Sequence, residues 1–286
     1  MIRRTFAIAS VTWTELVRLK VFYFLIIFAL LIIGNSFFLA RFTFEEEFQM
    51  LKDIALGAMS IFSSLLAILA TATLLPKDIE DRTIYTILAK PVSRSEYLMG
   101  KLLGVFLLLG LAVLLMGSLF AVVLLLRTQT VLHSTSLEMA NLPAADLQAA
   151  LANVRLAGHD PNLIAGGVII LMKAWILAAM TMFISTFATS TIFTTITAFA
   201  AYFIGHLQAT AREYWIAATD SGLLTKGALA LISLIFPDLQ AFNLADGIVA
   251  GTAIPLAVFW NTIALGGGYI LVYAVLAAAV FHNKEL

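Results

Sequence analysis

Six stretches of twenty or more mostly apolar residues decide what this chain can fold into. They are 21–40, 54–75, 102–126, 163–187, 190–209 and 260–281. A helix rises 1.5 Å per residue, so about twenty apolar residues cross the hydrocarbon core of a bilayer. Lipid offers the backbone N–H and C=O groups no partner, so each crossing must be helical. Composition agrees: 62% of the 286 residues are hydrophobic and 12% charged, against about 25% charged in soluble domains. The mean hydropathy is +1.00. A soluble core could not bury so much apolar side chain. The expected fold is an all-α integral membrane protein with six transmembrane helices, parsed as one membrane domain over 1–286.

Formal net charge is zero, which argues against a nucleic-acid partner and makes the distribution of charge the informative quantity. With no cysteine, disulfides and thiolate metal sites are excluded. The start, "MIRRTFAIASVTWTELVRLK", precedes a run of spanning length and lacks a clear small-residue cleavage site, so it is read as part of the mature protein. Lys and Arg crowd the segments ending at residue 20 and covering 76–101, and both termini are therefore placed on the inner side. Residues 1–20 carry a stripe of Ile2, Phe6, Ala9, Trp13 and Leu16 at helical spacing, which predicts a helix in the inner interface.

The remaining segments lie outside. Residues 127–162 form a long outer loop. Within 210–259, two apolar stretches at 227–236 and 247–258 are too short to span and have Pro237 and Pro255 beside or within them. They are read as interfacial or re-entrant helices before the last span.

The segment 76–101 is where the charge concentrates: "LLPKDIEDRTIYTILAKPVSRSEYLMGKLLG" runs from 74 to 104. Ile84, Ile87 and Leu88 form an i, i+3, i+4 group, with Glu80, Asp81, Arg82 and Thr83 leading into it. Pro91 breaks the helix. Ser93 and Glu96 then have the spacing of a capping box that starts a new helix into the third span. A short helix joined to a rigid span with no slack between them suits the transmission of force. A simpler reading also stands, in which the basic residues only set topology.

The pattern "IEDRTIYTILAKPVSRSEYLMGKLLG" resembles the cytoplasmic loop of type-2 ABC exporter permeases. "AYFIGH" (201–206) and "LIFPDLQAFNLADG" (234–247) are similar to the multicopper-enzyme-maturation group among them. The resemblance implies that 76–101 holds a coupling helix seated in a separate ATP-hydrolysing subunit. The contact residues so implied are Glu80, Asp81, Arg82, Thr83, Ile84, Ile87, Leu88, Pro91, Arg94 and Glu96. It further implies a homodimer or close heterodimer in a bacterial or archaeal inner membrane, with ATP and Mg held by the partner. This chain is expected to bind no cofactor and to be no enzyme. A P-loop requires G-x-x-x-x-G-K-[ST], and the one Gly-Lys pair, Gly100-Lys101, lacks both the upstream glycine and the hydroxyl. Two other functions stay open: a self-sufficient secondary transporter or channel, and an assembly factor for a periplasmic metalloenzyme.

Lys173 falls inside the fourth span. A central lysine costs about 2.5–3.5 kcal/mol on insertion scales, so it either faces a cargo path or subunit interface, or snorkels to a membrane surface. The hydroxyl run from Ser185 to Thr197 is read as helix packing. Gly100, Gly104 and Gly266–Gly268 allow close helix approach, within one chain or between two. His133, Met139 and His159 in the outer loop match no compact metal motif, and Glu45–Glu47 read as a solvated acidic face.

Overall fold

The computed structural model describes residues 2–39, 47–83, 92–139, 143–188, 190–217, 236–243, 245–249, 252 and 254–284. Every regular element among them is helical. The helices are α1 (Ile2–Val17), α2 (Lys20–Leu39), α3 (Glu47–Glu80), α4 (Arg94–Glu138), α5 (Ala144–Gly158), α6 (Asn162–Phe187), α7 (Thr191–Ala217), α8 (Ala245–Val249) and α9 (Leu256–His282). A 3-10 turn, Leu239–Phe242, precedes α8. Among the described residues, six helical stretches are long and apolar enough to cross a membrane. The chain is an all-α, multi-pass integral membrane protein.

The middle of the bundle is α3, α4 and α6. α2 packs on α3 and α4, α7 on α3 and α6, and α9 on α6 and α4. The spans of α3 and α6 are the most buried and that of α9 the least. α9 turns Leu271, Val272, Val275 and Leu276 outward, the apolar surface that lipid or a second subunit would cover. In the bundle, Phe106 stacks on Trp175 at 5.0 Å, and the Trp175 indole N–H donates to the Phe106 carbonyl.

The helices overrun the apolar runs that announce them. α3 continues through Pro76 to Glu80, and α4 extends past Arg127 to Glu138. Residues 127–162, expected as a loop, are therefore largely helix: the end of α4, then α5. These turns are polar, and Thr128, Thr130, Ser134 and Ser136 bond back to carbonyls three or four residues earlier. That satisfies the hydroxyls without an apolar face to betray the helix. The single short helix expected over 247–258 is instead two pieces, since α8 ends at Val249 and α9 begins after Pro255. The other short stretch, 227–236, lies outside the described residues except Phe236.

The N-terminal helix forms as expected, but its protein-facing stripe is rotated. Ala9, Thr12 and Leu16 are buried, whereas Phe6 and Trp13 are exposed and available to lipid. The glycines of α4 explain the close approach. A Cβ at Gly100 would stand 2.7 Å from the Ile8 Cβ and 3.0 Å from the Thr5 carbonyl oxygen. At Gly104 it would meet the Thr12 Cβ at 2.7 Å and the Ala9 oxygen at 3.0 Å. Both contacts advance by four residues on each helix, so α1 and the first turns of α4 run side by side in the same direction.

On the face opposite the termini, two ion pairs close the bundle. Arg127, buried, meets Glu47 at 2.6 Å and lies over the Phe37 ring. Lys52, also buried, meets Asp160 at 3.1 Å. Glu47 is thus a structural partner rather than part of a solvated acidic face. The hydroxyls of Ser185, Thr186, Thr194 and Thr195 bond back to their own helices.

Candidate functional site

The charged segment is anchored at both of its ends on one side chain, Asp78. α3 ends one turn beyond it: the Asp81 N–H closes on the Lys77 carbonyl at 2.8 Å, and Arg82 takes φ 55°. That left-handed conformation suits glycine, and for arginine it costs about 1–2 kcal/mol. It turns the chain so that Thr83 donates to the Asp78 backbone carbonyl or to its carboxylate, each at 3.2 Å. Glu80, Asp81, Arg82 and Thr83 are all exposed here. Ile84, Ile87, Leu88 and Pro91 lie outside the described residues.

The chain resumes at Val92, and α4 starts with the capping box expected from its sequence. The Ser93 hydroxyl accepts from the Glu96 N–H at 3.2 Å, and the Glu96 carboxylate accepts from the Ser93 N–H at 3.0 Å. One turn on, the fully buried Tyr97 donates its hydroxyl proton to Asp78. Lys101 then reaches the same carboxylate at 2.7 Å. The entry and exit of the loop are therefore tied through one buried carboxylate.

Three further ties carry this cluster to the rest of the bundle. Glu15 of α1 meets Lys77 at 3.3 Å and Lys101 at 3.7 Å. Tyr97 stacks on Phe281 near the end of α9 at 6.2 Å. The Arg94 guanidinium donates to the carbonyls of Phe281, His282 and Lys284 at 3.1, 2.9 and 2.6 Å, where a helix end leaves carbonyls without intrahelical partners and favours a cation. Lys284 in turn donates to the Thr186 carbonyl at the end of α6 at 2.8 Å, and burial holds its ammonium below the ordinary lysine value.

Within the chain, Arg94 holds the end of α9 and Glu96 caps α4. Asp78, Tyr97 and Glu15 were not singled out at all. What the sequence offered was only their place beside a dense run of charge, since Glu15 and Lys101 are 86 positions apart.

A second polar place lies within the membrane-spanning bundle. Lys173 of α6 is 3% exposed. Its Nζ lies 3.2 Å from the Ser60 hydroxyl of α3 and 3.2 Å from the His206 Nε2 of α7, with the Tyr202 ring at 6.0 Å. Lys173 therefore faces the bundle interior and does not snorkel. Elsewhere, His133 sits on the outer part of α4, Met139 follows its last turn, and His159 follows α5. Among the described residues no group of three or more His, Asp and Glu side chains forms a cluster able to hold a metal.

Comparison with known proteins adds one match and one absence. A family model described as ABC-2 family transporter protein matches residues 6–286, nearly the whole chain. No curated protein matches.

Proposed function

This chain belongs to the ABC-2 transporter family, and from that premise we propose how it is driven and what it does. As a family member it is the permease component of an ABC transporter, a membrane subunit rather than the ATPase. The proposal is that it exports its cargo, and that a separate nucleotide-binding subunit, holding ATP and Mg, docks on the segment around 80–88. Exposed Glu80, Asp81, Arg82 and Thr83 would give polar contacts, and Ile84, Ile87 and Leu88 the apolar plug. Two copies, or this chain with a close paralogue, would enclose the path in a bacterial or archaeal inner membrane.

The observation that carries the coupling role is the double anchoring on Asp78. A displacement of the docked segment reaches α3 and α4 together, because Thr83 and Tyr97 with Lys101 hold the same carboxylate from opposite ends. It passes to α1 through Glu15, and to α9 and α6 through Arg94 and Lys284. Packed helices joined this way move as units rather than absorbing the push.

Reconstitution tests the reading. The chain in liposomes with its ATPase subunit is expected to move cargo only with hydrolysable ATP, and the chain alone is expected to move none. Transport by the chain alone would favour the self-sufficient transporter. Unchanged biological activity with a hydrolysis-dead ATPase subunit would favour the assembly factor.

A further inference from the structure

The lysine inside the bundle differs from every other buried cation described, because among the described residues no carboxylate meets it. Lys52 has Asp160, Lys101 has Asp78 and Glu15, and Arg127 has Glu47. Lys173 has a serine hydroxyl, an imidazole nitrogen and a tyrosine ring face. A protonated ammonium can only donate, so toward it His206 Nε2 is the acceptor. Two of the three ammonium N–H groups are then used, and the third has no partner among the described residues.

This group borders a cavity of about 180 Å³ between α3, α6 and α7. Ser60, Lys173, His206 and Asn243 supply its polar wall, and among the described residues no acidic side chain lines it. Asp238 bears electrostatically on His206 but is not in the lining. The 3-10 turn and α8 close one end through Phe242 and Ile248, and they pack on α6, α7 and α3. Gly57 faces open space, with nothing within 4 Å of where a Cβ would stand, whereas Gly166 lets Ile248 pack closely, since a Cβ there would lie 2.6 Å from it. Ile61, which also lines the cavity, is 54% exposed, so the space reaches the membrane-facing surface.

We propose that this cavity binds an oxyanion, a phosphate or carboxylate group, with Lys173 as its counter-ion and His206, Ser60 and Asn243 as its polar frame. An unmatched ammonium among apolar residues favours an anion strongly, because the low dielectric strengthens a charge pair that water would screen. The volume falls below the roughly 300 Å³ of pockets that enclose a drug-sized ligand. It suits one charged group: a free small oxyanion, or the headgroup phosphate of a lipid entering beside Ile61. The site does not depend on the ATP-driven reading, and its test needs no ATPase subunit.

The experiment uses the full chain in micelles of a sugar-headgroup detergent, which carries no phosphate or carboxylate. Inorganic phosphate and acetate are titrated in one arm, and phosphatidylglycerol is added to the micelles in the other. Binding is read by native mass spectrometry and by the shift in melting temperature. Wild type is expected to bind saturably, K173Q at least tenfold more weakly, and K173R close to wild type. H206Q, which keeps the lysine, is expected to weaken binding several-fold and serves if K173Q does not fold. Binding of phosphate or acetate assigns a soluble oxyanion, and binding of phosphatidylglycerol alone assigns a lipid headgroup. Equal binding by wild type and K173Q, or by wild type and H206Q if K173Q does not fold, would overturn the proposal. So would the failure of wild type to bind any of the three probes.

Discussion

Two buried lysines in this bundle do opposite things. Lys101 is held between the Asp78 and Glu15 carboxylates and ties three helices where the charged segment re-enters the membrane domain. Lys173 touches only neutral partners and borders an open space. A matched buried charge acts as a fastener, because removing either member strands the other. An unmatched one is a standing cost that a ligand can relieve. Burial alone does not separate the two, since Lys101 is 5% and Lys173 3% exposed. The partners do.

The sharpest way to break this comparison is to make the same substitution twice. Lys101→Met should lower stability by about 3–5 kcal/mol by leaving the Asp78 carboxylate buried without its cation. Lys173→Met should leave stability unchanged or raise it by roughly 1–3 kcal/mol, because it removes an unpaired charge from an apolar setting. Melting curves of the two purified variants in one detergent would show it, and equal losses would end the distinction. A second way crowds the seam that brings Glu15 to Lys101. Gly100→Val should cost roughly 1–3 kcal/mol by overpacking and separate α1 from α4, read as lost cysteine cross-linking between the two helices. The smallest effect is expected at Lys77, whose side chain is half exposed. Lys77→Ala should change stability by less than about 0.5 kcal/mol despite its bond to Glu15, because water screens that pair. A loss as large as that of Lys101→Met would mean the cluster is one network rather than a buried pair with an exposed neighbour.

The sequence carried the membrane architecture because lipid imposes a one-dimensional rule: apolar runs of fixed length must be helices. The capping box at Ser93 and Glu96 was legible for the same reason, being local. The polar turns of α4 and α5 were not, since they need no apolar stripe and leave none. Nor was the role of Asp78, whose partners Tyr97 and Lys101 lie on α4 and become its neighbours only on packing. Nor was the hold of Arg94 on the end of α9, 187 positions further along the chain. Gly100 and Gly104 were visible as close-approach positions, but only the fold shows that α1 takes them. Lys173 stood out by position, whereas Ser60 and His206, on helices far away in sequence, did not.

The most direct test of the coupling account is ATP hydrolysis by the reconstituted complex carrying Leu88→Asp, a charge placed in the middle of the expected plug. The account predicts normal membrane insertion, a wild-type melting temperature for the permease and loss of the transport-linked stimulation of the ATPase subunit. Full stimulation by the Leu88→Asp permease would contradict it.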